Sequence, residues 1–352
     1  MKKLIAICAL VSSLGFAQGK KKIVVVGFPE QVVQELRKVT TEAEIVPVLM
    51  PKAAVVTAIG PVSPRTEEER AELLRQVADA DAFIGAPSQE VIKAAKKLKW
   101  VQIPSAGVEN YRYPELINSD IIMTNFQKVA SPGIADHAMG MLLALTRKLN
   151  YFIATRPEEN WVRRSYELLE LKGMTAVVIG VGGIGSNVAV RAWAAGMTVI
   201  GVDPEDVNPS PFISRLVYPD RLDSVLPEAD VVFVCAPLTP KSENMMGPKQ
   251  FALMKKGSFF IAVSRGRLYS MDALVEALKS GKLAGAGVDV ANPEPLPKGH
   301  PLWKFENVII TPHVATISQH ELERQMEVMK ENIARFVRGE PLKYVVDKQK
   351  GY

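Results

Sequence analysis

The sequence has 352 residues, of which 47% are hydrophobic and 23% are charged, and its formal net charge is +5. These values are typical of a folded chain with two domains, and its 24 glycines, 24 prolines and 2 cysteines exclude collagen-like, disordered and disulfide-scaffold classes. The small positive excess is spread along the chain and gives no reason to expect nucleic-acid binding. Outside the N-terminus no apolar run approaches the ~20 residues of a membrane span.

The N-terminal segment, residues 1–18, has the features of a secretory signal peptide in their usual order. Two lysines follow Met1, and a stretch of apolar or small residues comes next. Ala17 is a small residue, as signal peptidase requires next to its cleavage site. The segment is too short for a membrane helix, so we predict export to the periplasm with cleavage near Ala17. Cleavage would remove Cys8 and leave Cys235, which lies in an apolar strand-like run and is expected to be a core residue.

Strand-like apolar runs alternate with helical stretches along nearly the whole chain, which is typical of βαβ units and parallel sheets. The first half has four predicted strands and two predicted helices, at 23–27, 82–85, 100–103 and 121–124 and at 66–80 and 89–98 respectively. A long apolar helix follows from Ser131, its predicted cap, to Leu149. A second α/β unit extends from about Met174 to Thr311, and another long helix, 318–338, comes after it.

A glycine-rich loop stands near the start of the second unit. The predicted strand 175–179 leads into Gly180-Val181-Gly182-Gly183-Ile184-Gly185, a helix follows to Ala195, and the next strand, 198–202, delivers Asp203. The first glycine permits a tight turn, the second lets the backbone approach a pyrophosphate, and the third lets the helix pack on the sheet. Amides at the helix start attract phosphates. This order of elements predicts a dinucleotide site rather than a plain turn.

Asp203 indicates which dinucleotide is bound. A carboxylate at this position accepts hydrogen bonds from the ribose hydroxyls and repels a 2′-phosphate. The residue after it is Pro204, where an arginine would have accommodated that phosphate. We therefore predict NAD as the coenzyme in preference to NADP.

Three polar residues, Arg265, Glu294 and His313, each follow a later predicted strand of the same unit. Ligands of open α/β sheets bind beyond the carboxyl ends of the strands, so the three side chains should share one edge. Histidine transfers protons near neutral pH, a carboxylate on its second nitrogen fixes its tautomer, and arginine binds a carboxylate or polarises a carbonyl. Each residue alone has an ordinary structural explanation. Their convergence beside the dinucleotide loop favours a catalytic site.

The other histidines give weaker signals. His137 lies within the long helix and is expected to serve packing or an interface, while His300 and His320 indicate nothing specific. No His, Cys and Asp residues have the spacing of metal ligands, so no metal is predicted.

Further short motifs accompany the glycine loop and Asp203. They are Pro104-Ser105-Ala106-Gly107-Val108-Glu109, Ala236-Pro237-Leu238-Thr239-Pro240, Val263-Ser264-Arg265-Gly266, Asp289-Val290 with Glu294-Pro295-Leu296, and Thr311-Pro312-His313. With these motifs the chain, from about Lys22 to Tyr352, resembles the NAD-dependent D-isomer-specific 2-hydroxyacid dehydrogenases. Two places depart from that family's pattern. The run 314–318 lacks the glycine common after the histidine, which is expected to reshape the pocket near the nicotinamide, and the long helix carries Asp136 in place of Glu.

The resemblance implies an α/β fold of two Rossmann-like or flavodoxin-like open parallel-sheet domains. The coenzyme domain would be inserted into a split substrate domain. Residues 22–127 and 314–352 would form the substrate domain, and residues 128–313 the NAD-binding Rossmann domain. The long helix after Ser131 would form the interface of a homodimer.

The resemblance also implies roles for individual residues. Arg265, Glu294 and His313 would be the catalytic triad. The coenzyme would be bound by Gly180, Gly182, Gly183, Ile184, Gly185, Asp203, Ala236, Pro237, Val263 and Asp289, the last on the nicotinamide side. The substrate would be bound by the backbone of Ala106, Gly107 and Val108 and by the side chain of Arg265.

These roles predict an oxidoreductase that interconverts a small D-2-hydroxy acid and its 2-keto acid with NAD(H), as glyoxylate and hydroxypyruvate reductases do. One alternative is a protein that binds NAD(H) as a sensed ligand and acts as a scaffold on the same fold. Another is a formate-dehydrogenase-like enzyme, against which Glu294 argues, because those enzymes typically carry an amide there. The need for NADH supports a cytoplasmic location, which is the alternative to export.

Overall fold

Two parallel β-sheets, each with helices on both faces, form the architecture. The computed structural model describes residues 19–48, 66–161, 166–205 and 211–352. The predicted signal segment therefore lies outside the described residues. The predicted fold class is confirmed by the two sheets and their connections.

The first sheet contains five strands: β1 Lys21–Val26, β2 Ala43–Val48, β3 Ala82–Ile84, β4 Trp100–Gln102 and β5 Ile122–Thr124. Their order across the sheet is β2-β1-β3-β4-β5, and all neighbours are parallel. β2 is an edge strand, which is why it tolerates Pro47, a residue without an amide to donate. The helices of this part of the chain are α1 Glu30–Arg37, α2 Glu67–Val77, α3 Gln89–Ala94 and α4 Pro114–Ile117.

Two helices link this sheet to the next one, α5 Ser131–Thr146 and α6 Leu149–Thr155. The predicted single helix to Leu149 is wrong, because Lys148 adopts a left-handed conformation with φ of 54° and separates the two. The predicted cap is also wrong: Ala130 is the N-cap residue, and the buried Ser131 begins the helix beside Gly183.

The second sheet contains seven strands: β6 Thr175–Ile179, β7 Thr198–Val202, β8 Arg215–Val217, β9 Val231–Val234, β10 Ser258–Ala262, β11 Leu283–Val288 and β12 Val308–Ile310. Their order is β12-β11-β10-β9-β6-β7-β8, so the direction of winding reverses between β6 and β9. The accompanying helices are α7 Gly183–Ala194, α8 Leu222–Val225, α9 Pro248–Leu253 and α10 Met271–Lys279. A reversal of this kind opens a crevice at the carboxyl ends of the strands, where ligands bind.

The last helix, α11 Glu321–Arg338, returns to the first sheet. Its buried Met329 and Ile333 pack in the same core as Ile23 of β1. Asn332 donates from Nδ2 to Gln102 Oε1 at 3.2 Å, a buried hydrogen bond between the helix and β4. The first unit is therefore assembled from both ends of the chain, whereas the second is continuous.

Three general features bear on function. Within the described ranges, no helix is long and apolar enough to cross a membrane. The same ranges hold no group of three His, Cys, Asp or Glu side chains placed to bind a metal ion. Cys235 is a buried thiol, and burial raises its pKa, so it has the character of a core residue rather than a nucleophile.

Candidate active site

The glycine loop between β6 and α7 has the shape of a phosphate cradle. Gly180 has φ of 84°, and a Cβ there would lie 2.6 Å from the backbone nitrogen of Ala236, so only glycine fits. Gly182 is the N-cap of α7, and a Cβ built on it meets no atom within 4 Å. The helix start therefore presents its amides to an open space, as the binding of a pyrophosphate requires.

Asp203 follows β7 and contacts the glycine loop. It is 8% exposed. Its Oδ2 accepts a hydrogen bond from the amide of Val181 at 2.7 Å, and its Oδ1 accepts one from the amide of Glu205 at 3.0 Å. The carboxylate thus ties the end of β7 to the glycine loop.

The other predicted coenzyme-binding residues lie on neighbouring strand ends. Ala236 follows β9 and packs against Gly180, Pro237 is exposed beyond it, and the buried Val263 follows β10. The hydroxyl of Ser264 donates to the carbonyl of Val234 at 3.1 Å, which joins the ends of β9 and β10. These residues border the same crevice as the glycine loop.

His313 and Glu294 form a hydrogen-bonded pair. His313 Nδ1 lies 2.8 Å from Glu294 Oε2, and the side chains are 18% and 29% exposed. Glu294 Oε1 also accepts from the amide of Ala291 at 2.8 Å. Burial opposes ionisation of Glu294, but the hydrogen bonds from His313 and Ala291 and the charge of Arg265 together hold its pKa below the usual range. An ionised carboxylate only accepts hydrogen bonds, so Nδ1 carries a proton and Nε2 is the nitrogen available to a substrate.

The loop that carries His313 is held by Asp289, whose side chain is 1% exposed. Its carboxylate accepts hydrogen bonds from Thr311 Oγ1 at 2.6 Å and from the amides of Val314 and Ala315 at 3.0 and 3.1 Å. His313 itself has φ of 55°, a left-handed conformation that a histidine rarely adopts and that this anchoring stabilises. The direct coenzyme contact predicted for Asp289 stays a prediction, and the structure adds a role in positioning the histidine loop. The amides of Val314 and Ala315, in the run that departs from the family pattern, are part of this anchor.

His137 extends the same network from α5. Its Nε2 lies 2.9 Å from Thr311 Oγ1. Because Thr311 donates its own proton to Asp289, the contact requires His137 Nε2 to be the donor. Sequence reasoning assigned His137 to packing or an interface and missed this contact.

Arg265 reaches across the crevice to the first unit. Its Nε donates to Glu109 Oε1 at 2.5 Å and its Nη1 donates to the carbonyl of Ser264 at 2.8 Å. The two charged side chains are 26% and 20% exposed. Glu109 and the carbonyl of Ser264 therefore hold the guanidinium at Nε and Nη1, and Nη2 lies against Gly107. Sequence reasoning included Glu109 in a motif and did not assign it a role.

The predicted substrate loop lies directly beneath this ion pair. Asn125 Nδ2 donates to the carbonyl of Ala106 at 2.6 Å, and Ser105 Oγ donates to the carbonyl of Gly107 at 2.6 Å. A Cβ on Gly107 would collide with the Arg265 guanidinium and the Glu109 carboxylate. The structure therefore brings the loop 105–108, Arg265 and the His313–Glu294 pair to one crevice. The glycine loop lies at the same edge of the second sheet.

Residues 139–315 match the family model of the D-isomer specific 2-hydroxyacid dehydrogenase, NAD binding domain. The D-3-phosphoglycerate dehydrogenase of Methanocaldococcus jannaschii is 34% identical over 300 residues, which are 83% of this chain and 56% of that protein. The glyoxylate reductase of Thermofilum pendens is 32% identical over 291 residues, 80% of this chain and 85% of that protein. The chain thus spans little more than half the length of the phosphoglycerate dehydrogenases it matches.

Solved structures agree with the sequence comparisons. The NADPH-dependent glyoxylate/hydroxypyruvate reductase of Sinorhizobium meliloti, in complex with NADP and sulfate, superposes with a TM-score of 0.77 at 25% identity, over 95% of this chain and all of that one. The resemblance predicted from the motifs is confirmed by the matched family model and by these relatives. The chain belongs to the D-isomer specific 2-hydroxyacid dehydrogenase family, and its residues 139–315 are the NAD-binding domain of that family.

Proposed function

We propose that this protein interconverts a small D-2-hydroxy acid and its 2-keto acid with NAD(H), and that glyoxylate and hydroxypyruvate are the substrates to test first. The observation that carries the proposal is the His313–Glu294 pair at 2.8 Å, located with Arg265 at the edge of the NAD-binding sheet. A proton donor, a fixed carboxylate and a guanidinium are the groups that reduction of a keto acid needs.

The residues of the second unit fit the coenzyme. The open space over Gly182 and the amides of α7 would receive the pyrophosphate, and Asp203 at the end of β7 would receive the adenosine ribose. When bound, the nicotinamide supplies a hydride to the keto carbon or accepts one from the hydroxy acid.

His313 handles the proton. In reduction, protonated His313 gives the proton on Nε2 to the carbonyl oxygen, while Nδ1–H stays bonded to Glu294. Ionised Glu294 stabilises the imidazolium before transfer and keeps the ring oriented after it. In oxidation, neutral His313 takes the proton from the hydroxyl of the hydroxy acid.

Arg265 supplies the positive charge. With Nε held by Glu109 and Nη1 by the carbonyl of Ser264, Nη2 beside Gly107 would donate to the substrate carboxylate or the carbonyl oxygen. Backbone amides of the loop 106–108 would bind the other carboxylate oxygen. The substrate would then lie between the two units, where closure of the crevice excludes water.

The test is a substrate panel in which NADH oxidation is followed with glyoxylate, hydroxypyruvate, 3-phosphohydroxypyruvate and a bulkier keto acid. We expect the largest kcat/KM for one of the first two. The His313→Ala variant serves as the control, and it should bind NADH while losing about 10²- to 10⁴-fold in turnover. Tight NADH binding without turnover of any keto acid would contradict the proposal and favour a role as an NAD(H) sensor.

We further propose a homodimer formed through α5 and α6. Several large apolar side chains are exposed on these helices, namely Leu143 at 42%, Leu149 at 46%, Phe152 at 37% and Ile153 at 68%. Large apolar side chains exposed together on neighbouring helices are typical of protein–protein interfaces. Light scattering after size-exclusion chromatography should give twice the chain mass, and Ile153→Lys should shift it toward the monomer. A monomeric wild type would contradict the dimer.

Export with cleavage near Ala17 is our proposal for location, supported by the order of features in residues 1–18. Mass spectrometry of the N-terminus, on protein isolated from its native host, distinguishes export from a cytoplasmic location. A chain that begins at Met1 in the cytosolic fraction would overturn this proposal.

A further inference from the structure

Residues 345–352 cross from the first unit to the second. The amide of Val346 donates to the carbonyl of Met123 at 2.8 Å, and Arg112 Nη1 donates to the carbonyl of Lys348 at 3.0 Å. Lys348 Nζ donates to the carbonyl of Ile121 at 3.0 Å. The segment is therefore fixed on the first unit by several hydrogen bonds at once.

The end of this segment is shaped by a tight turn. Asp347 Oδ1 accepts hydrogen bonds from the amides of Gln349 and Lys350, both at 2.9 Å. Gly351 is buried with φ of 87°, and a Cβ on it would lie 2.6 Å from Arg112 Nη1. The turn directs the two residues on either side of Gly351 toward the second unit.

Both of those residues contact Glu205. Lys350 Nζ lies 2.5 Å from Glu205 Oε1, and the hydroxyl of Tyr352 donates to the same oxygen at 3.0 Å. Glu205 comes two residues after Asp203, and its amide donates to the Asp203 carboxylate at 3.0 Å. The segment thus ends beside the carboxylate that would receive the adenosine ribose.

We propose that Lys350, paired with Glu205, is a specificity-determining residue for the coenzyme, acting at the 2′ position of the adenosine ribose. This proposal rests on the proposed binding of the coenzyme at Gly182 and Asp203. Residues just after Asp203 are where an enzyme that uses NADP places a cation for the 2′-phosphate. Here a cation is present, contributed by a distant part of the chain, and Glu205 neutralises it.

The charges explain how the pair acts. Among the described residues here, Asp203, Glu205 and Asp347 carry three negative charges and Lys350 carries one positive charge, so the net charge beside the ribose is negative. A free 2′-hydroxyl tolerates that environment and a 2′-phosphate is repelled by it. Loss of Lys350 should make the repulsion stronger, whereas loss of the Glu205 charge should release Lys350 to attract the phosphate.

The experiment compares Lys350→Ala with Glu205→Gln. Dissociation constants for NADH and NADPH are measured by fluorescence titration at low ionic strength, because salt screens exposed charges. We expect the ratio of the NADPH constant to the NADH constant to rise about two- to fivefold in Lys350→Ala and to fall by a similar factor in Glu205→Gln. Lys350→Arg, which keeps the charge, should retain the wild-type ratio.

Arg338→Ala is the matched control. It breaks the Arg338–Glu340 ion pair of similar exposure, which joins the last residue of α11 to a residue two positions later, and should leave the ratio unchanged. If the Lys350–Glu205 pair only held the two units together, Lys350→Ala and Glu205→Gln would remove the same contact and have the same effect. A ratio that moves in the same direction in both, or in neither, would therefore overturn the proposal while NADH binding persists. Absence of binding of both nucleotides to the wild type would instead refute the coenzyme site itself, and this proposal with it.

Discussion

Replacement of Glu294 by Gln should separate proton transfer from substrate binding. The amide keeps the size of the side chain and an acceptor oxygen for His313 Nδ1. In the wild type this nitrogen lies 2.8 Å from Glu294 Oε2. It removes the negative charge that stabilises the imidazolium. A hydrogen bond to a charged group contributes about 1.5–3 kcal/mol, and about 1.4 kcal/mol corresponds to a factor of ten. Because Glu294 is 29% exposed, we expect the lower part of this range, a loss of about 10- to 50-fold in kcat.

The pH dependence provides a second readout. The pKa of Glu294 is lowered, so its carboxylate stays charged even at pH values where an ordinary glutamate is protonated, and it loses its charge only as the pH falls through the lowered value. In the wild type, the carboxylate thus supports the protonated histidine throughout the neutral range. In Glu294→Gln that support is absent at every pH. The pH at which the rate of keto-acid reduction falls by half should therefore move downward in the variant.

Steady-state kinetics from pH 5 to 9 with one keto acid and saturating NADH measure both effects. KM for the keto acid should change little, because Arg265 and the loop 106–108 are untouched. Unchanged kcat, or a half-rate pH that does not move, would refute the role assigned to the His313–Glu294 pair. His313→Ala measured beside it should be insensitive to a further Glu294→Gln change, since the two residues act as one unit.

Three further predictions concern other parts of the site. Glu109→Ala should raise KM for the keto acid at least about tenfold with little change in NADH binding, because Arg265 loses its orienting partner. A lower KM would contradict this role and would mean that Glu109 competes with the substrate for Arg265. Asp203→Asn should weaken NADH binding and reduce the difference between the dissociation constants of NADH and NADPH, as measured by fluorescence titration. A wild type that already binds NADPH more tightly would contradict this role. Gly180→Ala should lower the free energy of unfolding in urea by about 1–3 kcal/mol more than Gly281→Ala, since both glycines have positive φ but only Gly180 faces a neighbouring backbone.

The parts of the site that follow strands in chain order could be predicted from the sequence. Strands β6 and β7 begin and end where the apolar runs predict, because both are buried and are bounded by Gly180 and Asp203. Parallel strands place their carboxyl ends at one edge, so linear order was sufficient to bring Arg265, Glu294 and His313 together.

Contacts between distant segments could not be predicted in this way. Glu109 pairs with a residue 156 positions away, and His137 contacts one 174 positions away. Both depend on how two sheets and a helix pack, which periodicity does not encode. The break at Lys148 was missed for a local reason: apolar residues continue on both sides of it, and a left-handed lysine has no characteristic sequence signal.

The return of α11 to the first sheet has a consequence for synthesis on the ribosome. Strands β1 to β5 emerge first, yet the helix whose Met329 and Ile333 complete their core follows about 200 residues later. At ordinary elongation rates the wait lasts roughly 10 to 40 seconds. The second sheet, continuous in the chain, has all its strands available before then. The order of folding is therefore expected to be the reverse of the order of synthesis for these two units, and the early sheet leaves the part of one apolar face that α1 does not cover exposed until α11 has been made.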